Sequence, residues 1–251
     1  MTVSLAQIAP QLNRSNLQRI LPVIEQSRAE VIVFPELALN GYLLQDKVYE
    51  DAYEIEELMQ LQEASKERDI VIGAAIKQEG RTYNSALYFS EGHMLHMHHK
   101  MHLPNYGMFE EARYFFKGEQ ITCFDTSYGK AAMLVCEDLW RASVMATLAE
   151  LKPDCIYVLA ASPSRDFSDA GIGIESQWHA LLTSCALLCS SYVIFVNRVG
   201  FEDGLGFWGG SRIITAEGAC EYRLNNFEEE TASVVLNHTL HKVQKWMAKI
   251  D

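Results

Sequence analysis

The sequence predicts a layered α/β domain that contains a mixed sheet, and two observations support this prediction. Short apolar runs alternate with segments of helical periodicity along the 251 residues, a pattern typical of sheets covered by helices. Two pairs of apolar runs are separated only by short turn sequences, which indicates hairpins and therefore antiparallel pairing. With 49% hydrophobic residues, the chain is able to bury a large core.

The first half of the chain is predicted to contain three strands, two helices and a hairpin. The run VSLAQIA forms the first strand, and a helix follows from about Asn16 to Arg28. VIVF and IVIGAAI are the next strands, with a helix near Ile55 to Arg68 between them. TYNSALYF and HMLHMHH flank the turn SEG and form the hairpin.

The second half begins with another predicted hairpin, ITCFDT and KAAMLVC around the turn SYG. It continues with a helix from Val144 to Leu151, the strand CIYVLAA, a long helix from about Glu175 to Ser190 and the strand YVIFVNRV. SRIITAEGACEYRL and TASVVLN are predicted as strands of a second sheet. The terminal segment TLHKVQKWMAKI is predicted as an amphipathic helix that packs on the domain or forms a subunit contact.

Composition narrows the classes of partner and compartment. Lys and Arg number 21 against 33 Asp and Glu, and the net charge of −12 makes nucleic acid and anionic membranes poor partners. No linker, repeat, signal peptide or membrane-length apolar segment is found, so we expect one soluble, cytoplasmic domain over residues 1–251. The six cysteines form no CxxC pair and are expected to be reduced thiols.

Three polar residues stand where an apolar strand has just ended. Glu36 follows VIVFP, Lys100 follows MLHMHH, and Cys136 follows AAMLV. Side chains from distant parts of a chain often meet beyond the carboxyl ends of strands, so the three are candidates for one pocket. Taken singly, Cys136 is also a candidate core thiol or metal ligand, Glu36 a turn cap and Lys100 a solvated charge.

As a group, these residue types fit acyl transfer from an amide. A carboxylate takes the proton of a thiol, and the thiolate attacks a carbonyl carbon. A lysine ammonium, with a backbone N–H just after the nucleophile, stabilises the resulting oxyanion.

Three motifs, VFPELALNGY, HKMHLPNYGMFEEARYF and LVCEDLW, closely resemble those of the carbon–nitrogen hydrolase, or nitrilase, superfamily. They are most similar to the glutaminase domain of glutamine-dependent NAD synthetases, and the resemblance runs from about Val3 to Val235. It implies a four-layer α-β-β-α sandwich with mixed sheets, homo-oligomers, and amide hydrolysis without a cofactor.

The resemblance also implies roles for four residues. Glu36 is expected to be the general base, Lys100 the cation that stabilises the oxyanion, and Cys136 the nucleophile. A second glutamate is expected two residues before RYF, which selects Glu111 over Glu110. Its expected role is to orient Lys100 and to help move a proton to departing ammonia.

Four further residues, Tyr106, Glu137, Ser162 and Arg165, match positions that recognise glutamine in such domains. By the resemblance, Glu137 would bind the α-ammonium group and Arg165 the α-carboxylate, with Tyr106 and Ser162 beside them. Trp140 is either a wall of the pocket or a buried core indole. The alternative role of Glu137 is to orient loops without touching a ligand, and ASPSR is also an ordinary turn composition.

Two departures from the synthetases bear on the function. The sequence contains no phosphate loop of the form GxxxxGK[ST] or SGGxDS, and NRVGFEDGLGFWGGSR differs from the corresponding synthetase segment. We therefore expect either a detached glutaminase that supplies ammonia to a separate synthetase or a free-standing ω-amidase or aliphatic amidase. A catalytically silent binding protein is the third alternative, which the intact Glu36, Lys100 and Cys136 disfavour.

Four histidines surround Lys100, at positions 96, 98, 99 and 102. His96 and His98 alternate on one strand face, a spacing compatible with chelation, but no carboxylate or cysteine lies near them in sequence. No metal site is expected.

Overall fold

The computed structural model describes residues 1–169 and 171–237, and its elements are numbered here in chain order. Six strands form the first sheet: β1 (Thr2–Gln7), β2 (Val31–Val33), β3 (Asp69–Gln78), β4 (Arg81–Ser90), β5 (His93–His99) and β16 (Glu230–Val235). Their order is β16-β1-β2-β3-β4-β5. The three strands β1, β2 and β3 are parallel, and the other pairings are antiparallel.

Six strands also form the second sheet: β6 (Cys123–Thr126), β7 (Gly129–Val135), β8 (Cys155–Ala160), β11 (Tyr192–Asn197), β14 (Arg212–Ile214) and β15 (Cys220–Arg223). Their order is β15-β14-β11-β8-β7-β6. The central strands β7, β8 and β11 are parallel, and the outer pairings are antiparallel. Two small hairpins lie outside the sheets: β9 (Phe167–Ser168) with β10 (Gly171–Ile172), and β12 (Val199–Glu202) with β13 (Leu205–Trp208).

Six α-helices connect these strands: α1 (Asn16–Gln26), α2 (Val48–Asp51), α3 (Met59–Ala64), α4 (Glu111–Tyr114), α5 (Ala142–Leu151) and α6 (Gly173–Cys189). Three short 3-10 helices cover Gln45–Lys47, Ile55–Leu58 and Cys136–Trp140. Among the described residues, no helix combines the length and apolarity needed to cross a membrane.

The two sheets pack face to face between layers of helices. Alternate residues of β7 show this, since Met133 and Val135 contact the first sheet, whereas Leu134 contacts α5 and α6 on the opposite face. Strands buried on both faces are continuously apolar, which explains the run AAMLV. On the outer face of the first sheet, α1 and α3 supply Ile20 and Leu61. The predicted four-layer α-β-β-α sandwich with mixed sheets is confirmed.

The predicted position of the last strand is wrong. TASVVLN was expected beside SRII and CEYR in the second sheet, but β16 pairs antiparallel with β1 in the first sheet, with Thr2 opposite Val235. Its alternating exposed and half-buried pattern is that of an edge strand with one solvated face, and the pattern carries no information on which edge it joins. The predicted terminal helix, residues 239–250, lies outside the described residues, and the single domain over 1–251 stays a prediction.

Candidate active site

Glu36 is held in a tight turn just beyond β2. The next residue, Leu37, has a φ of 49°, and the turn packs directly onto β3 at Gly73. A Cβ atom at Gly73 would lie 2.5 Å from the Pro35 carbonyl oxygen, closer than real contacts allow, so glycine is required for this approach. The turn buries Glu36 to 1% exposure while its carboxylate faces the ends of neighbouring strands.

Lys100 follows β5 directly and is fully buried. Its backbone N–H donates to the Asn84 carbonyl at 2.8 Å, which fixes the position of the side chain. The Nζ atom donates to Glu36 Oε1 and to Glu111 Oε1, both at 2.7 Å. One ammonium group therefore joins two carboxylates that lie 75 residues apart in sequence, from β2 and from α4.

Burial and charge act in opposite directions on these groups. Burial lowers the pKa of Lys100, but Glu111 and Glu36 outweigh it and raise that pKa well above its usual value. Burial raises the pKa of Glu111 to about 7, with Lys100 opposing the shift and Glu36 adding to it. Glu111 Oε2 is buried and makes no hydrogen bond to the described residues. The site thus combines a permanent cation with a carboxyl group able to hold a proton near neutral pH.

Cys136 directly follows β7 and is the first residue of the 3-10 helix Cys136–Trp140, with a φ of 45°. Burial, followed by the charge of Glu36, raises the pKa of its thiol well above the usual value. Lys100 and the Ala161 backbone N–H lower the same pKa. That N–H also donates to Glu36 Oε2 at 2.7 Å, so the carboxylate and the sulfur lie close to the same backbone amide. The resting thiol is favoured over the thiolate, and a base must take its proton during attack.

Further hydrogen bonds hold the two carboxylates, and sequence reasoning missed the residues that make them. Asn84 Nδ2 donates to Glu36 Oε1 at 2.7 Å, and the Tyr42 hydroxyl donates to Glu111 Oε1 at 2.5 Å. Tyr42 lies in the quoted motif VFPELALNGY, which was a usable signal. Asn84 lies within the largely apolar strand TYNSALYF. A buried amide needs a hydrogen-bond partner, and this requirement was the signal in the sequence that pointed to Asn84.

Asp138 connects the segment before Cys136 to the segment around Lys100 and was also missed. It is fully buried, and its carboxylate accepts the Val135 N–H at 3.1 Å and His98 Nε2 at 2.9 Å. The backbone N–H groups of residues 101 and 102 each donate to its Oδ1 at 3.0 Å. Burial raises the pKa of Asp138, but hydrogen bonds from His102 and His98 outweigh it and lower that pKa well below its usual range.

A buried ion pair supports the Tyr42 loop from the β12–β13 hairpin. Arg198 donates to Glu202, and both are nearly inaccessible to solvent. Glu202 Oε2 accepts the backbone N–H groups of Tyr42 and Leu43, each at 2.9 Å. Arg198 and Glu202 belong to the segment NRVGFEDGLGFWGGSR, which differs from the synthetase sequences, and they hold the backbone of Tyr42, whose hydroxyl binds Glu111.

A narrow cleft opens beside Cys136. All five residues predicted to bind substrate line it: Tyr106, Glu137, Trp140, Ser162 and Arg165. Trp140 is half-buried and is a wall of the cleft, and its other contact is with the core, where it meets Trp178 edge to face with ring centroids 5.5 Å apart. The structure therefore brings the predicted substrate-binding residues together at the side of the predicted nucleophile.

The histidines around Lys100 have separate partners. His98 and His102 contact Asp138, His96 stacks on Phe124 at 4.3 Å, and His99 stacks on Tyr83 at 4.0 Å. Across residues 1–169 and 171–237, no group of three or more metal-ligating side chains is arranged to hold an ion. These histidines act within the fold, as ring packing and as donors to a buried carboxylate.

Comparison with known proteins places this fold and site in a family. The chain is 32% identical over 247 residues to the glutamine-dependent NAD(+) synthetase of Thermotoga maritima, which covers 94% of this chain and 42% of that protein. The structure of the glutamine-dependent NAD+ synthetase from Acinetobacter baumannii superposes with a TM-score of 0.84 at 29% identity, covering 96% of this chain and 46% of the other. This chain spans less than half the length of these relatives.

A shorter neighbour shares the fold over its whole length. A nitrilase-superfamily member from Saccharomyces cerevisiae superposes with a TM-score of 0.82 at 20% identity, covering 100% of this chain and 94% of that one. The family model for carbon-nitrogen hydrolases matches residues 2–246. The predicted membership is confirmed, and this chain belongs to the carbon–nitrogen hydrolase (nitrilase) family.

Proposed function

We propose that this chain is a cysteine-dependent amide hydrolase that releases ammonia from glutamine or a similar small primary amide. The observation that carries the proposal is the bridge from Lys100 Nζ to Glu36 and Glu111, 2.7 Å to each, next to the Cys136 thiol. A base, a cation and a nucleophile in one buried cluster are the groups that acyl transfer requires. The catalytic residues proposed are therefore Glu36, Lys100, Glu111 and Cys136.

In the first half-reaction, Glu36 takes the thiol proton while Cys136 Sγ bonds to the amide carbon. The carbonyl electron pair moves to oxygen, and Lys100 with the Glu137 backbone N–H stabilises this oxyanion. The oxyanion collapses, the carbon–nitrogen bond breaks, and the nitrogen leaves as ammonia with a proton from the carboxyl groups. Glu111, whose pKa burial raises to about 7, is suited to pass on that proton.

In the second half-reaction, water cleaves the thioester. Glu36 takes a proton from water, and the resulting hydroxide oxygen bonds to the acyl carbon. The same oxyanion donors act again, the carbon–sulfur bond breaks, and the sulfur regains a proton. The products are the carboxylic acid and a free thiol, so the cycle needs neither an oxidant nor a cofactor.

The cleft supplies the groups for substrate recognition. Arg165 presents a planar cation to a substrate carboxylate, and Trp140 packs against the aliphatic part. Tyr106, Glu137 and Ser162 complete the proposed binding set. The NAD synthetase relatives are about twice as long as this chain, so we also propose a separate ammonia-accepting synthetase as a partner. We further propose that the chain forms homo-oligomers in the cytoplasm, as the family resemblance implies.

Ammonia release by the purified protein tests the proposal. The substrates are glutamine, asparagine, short aliphatic amides, ω-amides of keto acids and a nitrile. We expect turnover of at least one amide and none by Cys136→Ala. Cys220→Ala is the matched control, since this cysteine is exposed and outside the cleft. Wild-type rates from Cys136→Ala, or no release from any amide by the wild type, would contradict the proposal.

A further inference from the structure

An ion pair beside Cys136 bears on which amide the cleft accepts. Arg141 Nη2 donates to Glu137 Oε1 at 2.6 Å, and the Tyr106 hydroxyl donates to Glu137 Oε2 at 2.9 Å. Both oxygens of this carboxylate are therefore already engaged by side-chain donors. Glu137 is the group that glutamine recognition would use for the α-ammonium, and here a protein cation lies on it.

The charges at this end of the cleft do not balance. Glu137 and Arg165 line the cleft, whereas Arg141 approaches Glu137 from outside, with 44% of its side chain exposed. Within residues 1–169 and 171–237, Arg165 makes no ion pair. Because Arg141 offsets the charge of Glu137, Arg165 leaves one net positive charge, which attracts an anion and repels an ammonium group.

A neutral donor beside Arg165 favours an anion as well. Ser162 Oγ accepts the indole N–H of Trp178 at 2.9 Å and that of Trp208 at 3.3 Å. A hydroxyl has two lone pairs and one proton, so these contacts occupy its acceptor capacity and leave its proton to donate. Ser162 and Arg165 therefore both present donors to the cleft, the complement of a carboxylate.

We propose that the cleft selects small amides that carry a carboxylate but no α-ammonium, namely monoamides of short dicarboxylic acids, over glutamine. This inference rests on the proposed amide hydrolysis and narrows its substrate class. Arg165 and Ser162 bind the substrate carboxylate. Arg141 determines specificity by neutralising Glu137, although it lies outside the cleft-lining residues.

Three amides with the same aliphatic chain next to the amide group test the inference. Glutaramate is glutamine without the α-amino group, and butyramide lacks the carboxylate as well. For the wild type we expect kcat/KM for glutaramate to exceed that for glutamine on the order of tenfold, equivalent to one ion-pair-sized difference in binding, with butyramide the poorest. In Arg141→Gln, Glu137 keeps its negative charge but loses the cation that offsets it, so the preference for glutaramate should fall to near parity or invert.

Arg14→Gln is the matched control, because Arg14 pairs with Glu57 at 2.7 Å with a similar exposure of 36% and does not line the cleft. It should leave the preference unchanged. A wild type that prefers glutamine, or an unchanged ratio in Arg141→Gln, would overturn the inference while leaving cysteine-dependent hydrolysis intact.

Calorimetric titration of Cys136→Ala with glutaramate and glutamine gives the same comparison without turnover. Tighter binding of glutaramate is expected, and equal or tighter binding of glutamine would overturn the inference. This measurement does not depend on turnover. An inactive wild type would contradict the proposed function, and the relative affinities for glutaramate and glutamine would still test the substrate class.

Discussion

Replacing Lys100 by methionine tests the buried charge cluster most severely. The substitution removes the cation that lies 2.7 Å from both Glu36 and Glu111 and leaves two buried carboxyl groups without it. Removal of one partner from a buried ion pair costs about 3–5 kcal/mol of unfolding free energy at neutral pH. Loss of an oxyanion donor should lower kcat by a further factor of about 10²–10³ in the protein that remains folded.

The stability loss should depend on pH in a defined direction. Without Lys100, which lowers the pKa of Glu111 in the wild type, burial and the charge of Glu36 raise that pKa further, so the neutral form of Glu111 is favoured in the folded state. The folded variant then binds more protons than the unfolded chain, and its stability falls as the pH rises. The deficit relative to the wild type should therefore be largest near pH 8 and smaller near pH 5.

Urea denaturation followed by tryptophan fluorescence at pH 5, 7 and 8 measures this deficit. Lys47→Met is the matched control, because Lys47 pairs with Asp51 at 2.9 Å but is half exposed, and it should cost less than about 1 kcal/mol. A deficit below about 1 kcal/mol for Lys100→Met at pH 8, or one that does not change with pH, would refute the reasoning.

Three other substitutions probe the groups around this cluster. Glu111→Gln removes a carboxyl group whose pKa burial raises to about 7, so kcat should fall by about 10²-fold. Proton loss from Glu111 is expected to make wild-type kcat decline above pH 7, and the variant should lack this decline. An unchanged pH profile would contradict the role of Glu111. Tyr42→Phe removes one hydrogen bond to Glu111 and should lower kcat about tenfold with little change in KM, as steady-state kinetics will show. Asp138→Asn cannot satisfy all the donors that meet this carboxylate, so thermal melting should show a loss of about 2–4 kcal/mol, and a wild-type melting curve would contradict it.

The sequence predicted those parts of the fold that depend on local pattern. The two hairpins, the central parallel strands and the helices α1, α5 and α6 lie close to their predicted positions, because periodicity and turns are local signals. The helix expected over Ile55–Arg68 is divided into a 3-10 helix (Ile55–Leu58) and α3, and ends at Ala64. The pairing of β16 with β1 joins residues more than 220 positions apart, and local pattern contains no information on such a contact.

The candidate site also contains some residues that the sequence predicts and others that it does not. Glu36, Lys100 and Cys136 were identified because each follows a strand and sits in a recognisable motif. Their supports were not, since Asp138 and Glu202 act through hydrogen bonds to backbone groups far away in sequence. The pairing of Arg141 with Glu137 depends on the turn after Cys136, and an arginine four residues along is otherwise an ordinary solvated charge.

Cys136 is expected to carry the acyl group during turnover. Acid quenching of the reaction with an amide substrate, followed by peptide mass mapping, identifies the residue that carries the acyl group. We expect a mass increase equal to the acyl group on the peptide that contains Cys136. Hydroxylamine should remove it, and Cys136→Ala should lack it. An acyl group on another residue, or turnover by Cys136→Ala at the wild-type rate, would contradict this role of Cys136.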